Sequence, residues 1–236
     1  MDKTNEILAM LKPIKVDKNI TNLDELGRIV SNVPPLTMLS KDFYESAIRK
    51  LPKIDAIKDG CWLLAGIWKG GSALFMKAIM EDLKINKQMF LYDTFGKIPI
   101  NNLTKNEDII FANHFLNEKN LPIIDYREKV DSLFCEYKLN HNVHFIKSDV
   151  NSLVAEQIPK NIAFVHLDLD FFEPTYCMLS LVYDKIIPGG IIIIDDYYLD
   201  LLNCKHAVDK YFEGKGINIR EISEKFSMNS ILVKKN

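Results

Sequence analysis

Two apolar segments that end abruptly on aspartates constrain the fold of this chain more than any other feature. Phe164–Asp170 ends in Asp-Leu-Asp, and Ile191–Asp196 ends in Asp-Asp. A continuous run of Val, Ile and Leu is typical of a strand that is buried on both faces of a parallel sheet. Ligands of open parallel sheets bind just beyond the carboxyl ends of the strands. The two segments therefore predict several carboxylates at one rim of such a sheet.

Strand-like and helix-like segments alternate along the rest of the chain. The predicted strands are Cys61–Gly66, Met89–Phe95, Val143–Asp149, Phe164–Leu169 and Ile191–Ile194, with a closing pair at Ile217–Ile222 and Ser230–Lys234. The predicted helices are Gly70–Met80, Asp125–Tyr137, Thr175–Asp184 and Cys204–Phe212. Pro188–Gly190 is predicted as a turn, and residues 97–123 as a long insert. The alternation favours an α/β fold with a doubly wound, mostly parallel sheet and helices on both faces.

The length and composition suit one substantial core. The chain has 236 residues, of which 47% are hydrophobic, and α/β domains of this size are often single. Residues 1–50 are predicted to form an N-terminal helical arm or cap, and residues 51–236 the main domain.

Charge, cysteine spacing and apolar runs exclude several classes of protein. The net charge is −2 and the basic residues are scattered, so neither nucleic acid nor a membrane is an expected partner. The four cysteines lack metal-site spacing and indicate reduced thiols of a cytoplasmic protein. No apolar run approaches the ~20 residues that span a bilayer, and the N-terminus does not resemble a signal peptide.

Further polar positions lie at predicted strand ends. The turn Gly66–Gly71 follows a strand and opens a helix, so it is either an anion-binding turn or an ordinary tight turn. Asp93 either accepts hydrogen bonds from the ribose of a nucleotide or caps the following turn. Asp149 is either a contact for an adenine amino group or, the favoured interpretation, a solvated turn residue.

The carboxylates of the two opening segments suggest a cation site. If their strands are neighbours, the strand ends lie ~5 Å apart, and Asp168, Asp195 and Asp196 together with water and a substrate oxygen would complete a Mg²⁺ shell. Asp170 and Glu173 are either substrate contacts or helix caps. His166 shares a strand face with Asp168; it is either a buried histidine held by a backbone carbonyl, the favoured interpretation, or a catalytic base.

The order of these motifs resembles that of the macrocin O-methyltransferase family, whose members are S-adenosylmethionine- and Mg²⁺-dependent sugar O-methyltransferases. The resemblance extends from about Thr37 to the C-terminus. The motifs that carry it are Gly60–Ser72, Leu91–Pro99, His166–Thr175, Pro188–Tyr197 and Cys204–Phe212.

The resemblance implies a Rossmann-like class I methyltransferase fold with seven strands, the last pair antiparallel. It implies that Gly66, Gly70 and Ser72 surround the methionine part of the cofactor, with Thr37 and Met38 nearby. Asp93 would bind the ribose. The implied metal ligands are Asp168, Asp195 and Asp196.

The expected reaction is methyl transfer to a hydroxyl of a sugar or polyol-like small molecule. The general base would be Asp168, Asp170 or His166, with Asp168 preferred, and a homodimer is expected. The family's Glu-Thr before the first glycine is Leu64-Ala65 here, a departure that puts the cofactor geometry in question. The alternatives are a catechol-like diol acceptor and a non-catalytic binding protein. A nucleotide-dependent dehydrogenase is disfavoured because G-x-G-x-x-G is absent.

Overall fold

The computed structural model describes residues 2–13, 36–113 and 125–236. The helices are α1 (Asp2–Leu11), α2 (Lys41–Lys50), α3 (Gly71–Asp82), α4 (Asn106–Phe111), α5 (Arg127–Glu136), α6 (Phe172–Val182), α7 (Cys204–Gly214) and α8 (Ile219–Ile222). The strands are β1 (Cys61–Ala65), β2 (Met89–Asp93), β3 (Val143–Lys147), β4 (Ile162–Leu167), β5 (Ile186–Ile194), β6 (Ser223–Lys225) and β7 (Ile231–Lys234).

The strands form one seven-stranded sheet in the order β3-β2-β1-β4-β5-β7-β6. Strands β1 to β5 run parallel, whereas β7 runs antiparallel to both β5 and β6. This topology confirms the predicted fold class. The strand order reverses between β1 and β4, and open α/β sheets bind their ligands at such a switch point.

Helices cover both faces of the sheet. One hydrophobic core joins the sheet to α1, α2, α3 and α5, and a second joins it to α6 and α7. Residues 71–80 of α3 are all buried, because α1 packs directly against this helix and the residues of both helices join the core of the sheet. The described part of the predicted arm therefore shares a core with the main domain, and the boundary at residue 50 stays a prediction.

The N-terminus of α1 is held by the far end of α3. The carboxylate of Asp82 accepts hydrogen bonds from the backbone N–H groups of Lys3 at 3.2 Å and Thr4 at 2.9 Å. These donors have no intrahelical acceptors at a helix start, so Asp82 caps α1 from a neighbouring helix.

Two sequence-based element predictions were wrong. Pro188–Gly190 belongs to β5 rather than to a turn, because Gly189 donates to the Lys235 carbonyl and Gly190 accepts from the Lys235 N–H. Ile219–Ile222 is helical rather than extended, because the Asn218 side chain accepts from the Arg220 N–H and starts a helical turn. The closing strand β6 follows that turn.

The predicted insert contains α4 and a short 3-10 helix at Ile100–Asn102, and its residues 114–124 lie outside the described residues. None of the helices in the described parts of the chain has the length and apolarity that a membrane crossing requires.

Candidate active site

A cavity lies at the carboxyl ends of β1, β2, β4 and β5, between the N-terminal arm and the insert. Ten residues that the sequence singled out line it: Thr37, Met38, Gly66, Ser72, Asp93, Asp149, Asp168, Asp170, Asp195 and Asp196. Gly70 and His166 are not among the lining residues.

The glycine turn after β1 is held by the acid at the end of β2. The carboxylate of Asp93 accepts from the N–H groups of Ile67 at 2.5 Å and Trp68 at 2.8 Å, and from that of Phe95 at 2.6 Å. Burial raises the pKa of Asp93, although these donors oppose that shift. The Thr94 side chain also hydrogen-bonds this carboxylate. A carboxylate has about four acceptor positions, so Asp93 is fully engaged in holding the turn.

Gly66 and Gly70 are required by different contacts. Both have positive φ, at 84° and 87°, where only glycine is unstrained. A Cβ on Gly66 would lie 1.7 Å from the Asp168 carbonyl oxygen, so the turn touches the end of β4 directly. A Cβ on Gly70 would lie 2.7 Å from Val130 in α5. The backbone of Gly66 thus lies directly against that of Asp168, whereas Gly70 lies against the Val130 side chain of α5.

The aspartate cluster (Asp168, Asp195 and Asp196) forms where β4 and β5 end side by side. The register pairs Leu167 with Ile194, so the next residue of each strand carries an acid. The ladder continues for one more step, because Asp195 donates its N–H to the Leu167 carbonyl at 2.8 Å. One carboxylate oxygen from each cluster member lies within 4.8 Å of the others.

Burial, and after it the repulsion between neighbouring charges, favours protonation of these acids. Burial raises the pKa of Asp168, and the charges of Asp195 and Asp170 raise it further. Burial raises the pKa of Asp195 to about 6, although a hydrogen bond from the Ser230 hydroxyl opposes the shift. Burial and the neighbouring acids also raise the pKa of Asp196, which shares a hydrogen bond with Asp170. Two carboxyl groups share a hydrogen bond only when one holds a proton.

The cluster therefore suits a divalent cation. A cation would relieve the repulsion and displace the shared proton. All the donors are carboxylate oxygens, which are the ligands that Mg²⁺ and Mn²⁺ prefer. Asp170 and Asp196 have φ of 61° and 57°, a left-handed conformation that aspartate tolerates better than most residues.

Thr37 of the arm presents a hydroxyl donor to the cavity. Its Oγ1 accepts from the Tyr44 hydroxyl at 2.6 Å and from the Leu39 N–H at 3.1 Å. Since both of its lone pairs are used, its own proton is left for another acceptor. Burial raises the pKa of Tyr44, so this phenol stays a donor. Sequence reasoning placed Thr37 near the cofactor but did not find Tyr44.

His166 lies inside the core rather than at the cavity. It is fully buried, and its ring centroid is 5.1 Å from that of Phe43. Burial lowers its pKa to about 3, so the ring is neutral. Neither ring nitrogen has a hydrogen-bond partner among the described residues, so the backbone carbonyl that we expected to hold it is not found there.

Asp149 and Glu173 both make hydrogen bonds to the insert. Asp149 accepts from the Asn151 N–H at 3.0 Å, which caps a 3-10 helix, and from the Asn102 side chain in the insert. Asp149 also lines the cavity. Glu173 accepts from the Thr104 hydroxyl of the insert and is not a lining residue.

Sequence reasoning missed the apolar wall beside the acids. Leu103, Phe111, Phe171 and Leu199 belong to a third hydrophobic cluster, and all four line the cavity. Two of them come from the insert, whose pattern gave no clear element. The missed residues also include Ser230, which bonds Asp195, and Asp108, a buried acid in α4. The Asp108-Ile-Ile-Phe111 run was the only available signal for α4.

A known family matches most of this sequence. The model for macrocin-O-methyltransferase (TylF) matches residues 42–225. The chain belongs to this family. The match includes the glycine turn, Asp93 and the aspartate cluster, whereas Thr37 precedes it.

Individual relatives agree with the family match. The 8-demethyl-8-(2,3-dimethoxy-alpha-L-rhamnosyl)-tetracenomycin-C 4'-O-methyltransferase of Streptomyces olivaceus is 28% identical over 155 residues, which cover 65% of this chain and 58% of that protein. The matched regions span only 55–65% of the length of three curated relatives.

Solved structures share the fold. The O-methyltransferase NovP is 20% identical and covers 100% of both chains with a TM-score of 0.73. CalS11, a TDP-rhamnose 3'-O-methyltransferase of calicheamicin biosynthesis, is 16% identical and covers 99% of this chain and 93% of its own, with a TM-score of 0.56. This chain therefore has the class I methyltransferase fold.

Proposed function

We propose that this protein transfers a methyl group from S-adenosylmethionine to a sugar hydroxyl of a glycosylated small molecule, with Mg²⁺ bound at the aspartate cluster. The observation that carries the proposal is the convergence of three carboxylates within 4.8 Å beside a glycine turn, in a chain of the macrocin-O-methyltransferase family. The relatives' names support the sugar acceptor: one is described as a methyltransferase of a rhamnosyl tetracenomycin and another as a mycinamicin 3''-O-methyltransferase.

Residues on the β1 and β2 side would hold the cofactor. Gly66 and Ser72 would lie along its methionine part, and the Thr37 hydroxyl would donate to its carboxylate. Asp93 would accept from the ribose in place of the Thr94 side chain, and Asp149 would lie near the adenine. Since Gly66 lies against the end of β4, a cofactor bound in this way would have its sulfonium next to the acids, and methyl transfer depends on such alignment.

Residues on the β4 and β5 side would hold and deprotonate the acceptor. Asp168, Asp195 and Asp196 would bind the cation, which when bound lowers the pKa of a hydroxyl on it. Asp170 would take the proton of the acceptor hydroxyl, because it would be free to accept once Asp196 no longer shared a hydrogen bond with it. Asp168, the base preferred from the sequence, is committed to the cation in this arrangement, and His166 does not line the cavity.

The wall beside the acids favours a neutral acceptor with an apolar body. Leu103, Phe111, Phe171 and Leu199 provide an apolar surface, and Lys97 is the one cationic side chain among the described lining residues. A diphosphate would require cations or helix N-termini to balance its charge. We therefore place neutral glycosides ahead of nucleotide-linked sugars such as the substrate in CalS11's description.

The test is transfer of labelled methyl from S-adenosylmethionine to three acceptor panels: neutral glycosides, nucleotide-linked sugars and catechols. We expect transfer to neutral glycosides, and its loss in Asp196→Asn. Transfer to catechols alone would replace the acceptor assignment with the diol alternative. Failure to bind S-adenosylmethionine in calorimetry would favour a non-catalytic binding protein.

A further inference from the structure

Asp108 belongs to the insert, yet its carboxylate links the two loops that carry the acids. It lies on α4 and is fully buried. Its Oδ2 accepts from the backbone N–H of Phe172 at 2.9 Å. Its Oδ1 accepts from the backbone N–H of Asn203 at 3.1 Å and from the Asn203 side-chain amide at 3.0 Å. One side chain therefore bridges the starts of α6 and α7, the helices that follow β4 and β5.

Asp108 replaces the caps that both helices lack. The N-cap positions are Phe171 for α6 and Asn203 for α7, and neither makes a capping hydrogen bond with its own side chain. The first N–H groups of a helix need acceptors from elsewhere, and a negative charge at a helix N-terminus is favourable. One carboxylate supplies both helices with these interactions.

Each acid-bearing loop is consequently fixed at two ends. At the strand ends, Asp168 donates its N–H to the Ala65 carbonyl at 2.9 Å, and Asp195 bonds the end of β4 in the same way. At the helix ends, both loops bond Asp108. Between these points the backbone holds Asp170 and Asp196 in the left-handed region. Carboxylates that repel one another stay close only if their backbones are held.

We propose that Asp108 is a positioning residue that keeps the aspartate cluster in the arrangement that binds a divalent cation. The proposal rests on the metal site of the proposed function. Because α4 also carries Phe111 of the apolar wall, the same contact ties the acceptor wall to the cation site. A cap with only a structural role would affect stability without affecting cation affinity.

The test is Mn²⁺ binding, followed by the paramagnetic resonance signal of the free ion. Asp108→Asn keeps the size of the side chain but turns one acceptor into an amide that opposes an N–H donor. We expect it to weaken Mn²⁺ binding by roughly 10- to 100-fold, as loss of groups that orient metal ligands does elsewhere. Asn203→Ala removes one of the three bonds, so it should fold even if Asp108→Asn does not, and should weaken binding by a smaller factor.

The matched control is Asp82→Asn, which removes the same kind of remote cap from α1. It should lower the melting temperature but leave the Mn²⁺ dissociation constant unchanged. The S-adenosylhomocysteine dissociation constant should be the same in Asp108→Asn and in the wild type, because within the described residues Asp108 bonds Phe172 and Asn203, whereas Asp93 holds the glycine turn.

Unchanged Mn²⁺ affinity in both Asp108→Asn and Asn203→Ala would overturn the inference and leave the proposed function standing. An equal loss of affinity in Asp82→Asn would also overturn it, because the effect would then follow stability alone. A wild-type protein that binds no Mn²⁺ would overturn the metal assignment and this inference with it.

Discussion

Replacing Asp195 by asparagine should have opposite effects on stability with and without a divalent cation. Burial raises the pKa of Asp195 from 3.8 to about 6. Between those values the folded state binds more protons than the unfolded state, so stability falls as pH rises through this window and stays lower above it. A shift of about two units corresponds to about 3 kcal/mol, at about 1.36 kcal/mol per unit.

Asparagine is neutral at every pH, so the variant avoids the free-energy cost of ionising a buried carboxyl group. In chelator at about pH 8, Asp195→Asn should be up to about 3 kcal/mol more stable than the wild type, or about 6–12 °C higher in melting temperature for a chain of this size. The difference should shrink as the pH falls through this window and vanish below about pH 3, where the wild-type carboxyl is protonated in both states. The bond from Ser230 persists, since the amide oxygen accepts it.

Mg²⁺ should reverse the sign. At about 1,000 times its dissociation constant a ligand stabilises the folded state by about 4.1 kcal/mol. This gain exceeds the about 3 kcal/mol by which the variant is more stable in chelator, and the variant lacks one of the ligands of the cation. The assay is thermal unfolding at about pH 8 in chelator and in Mg²⁺, with Asp55→Asn as a control that removes an equal charge from an exposed side chain. Destabilisation by Asp195→Asn in both conditions would refute the reasoning.

Three other substitutions test the cavity. Gly66→Ala, whose Cβ would lie 1.7 Å from a backbone oxygen, should lower the melting temperature and weaken S-adenosylhomocysteine binding, whereas Gly96→Ala, whose Cβ meets nothing closer than 3.8 Å, should leave stability unchanged. Asp93→Ala should destabilise the protein by about 1–3 kcal/mol even without cofactor, because it leaves buried N–H donors unpaired. It should also weaken S-adenosylhomocysteine binding in calorimetry. An unchanged free energy of unfolding would contradict the role of Asp93 in the turn. Leu64→Glu puts a carboxylate beside its strand neighbour His166 and should raise the pKa of that imidazole in NMR titration. Adding His166→Leu to this variant should lower the free energy of unfolding by about 3–5 kcal/mol, because it breaks the pair. A His166 pKa that stays near 3 in Leu64→Glu would refute the pairing.

Strand placement could be predicted because it depends on local pattern. The runs before Asp168 and Asp195 are too apolar for anything but buried strands, and adjacent parallel strands end at one rim, so the aspartate cluster followed from sequence. Gly189 and Gly190 could not be placed, because their conformation depends on pairing with a residue that lies far along the chain.

Several contacts of the site depend on tertiary packing and have no local signal. The two helices that Asp108 caps start far from it in the sequence, so these contacts form only when the insert packs against the loops after β4 and β5. His166 illustrates the converse: strand periodicity placed it on the face of Asp168, but burial under Phe43 removes it from the cavity. The homodimer, the cytoplasmic location and the roles of the individual site residues stay predictions.

A crystal structure with S-adenosylhomocysteine and Mn²⁺ tests the central claim most directly, because Mn²⁺ is located by its anomalous scattering. The account predicts one anomalous peak ligated by Asp168, Asp195 and Asp196, with the sulfur of the cofactor product next to it and Asp93 on its ribose. A cofactor product bound in the cavity without an anomalous peak at these three carboxylates would contradict it.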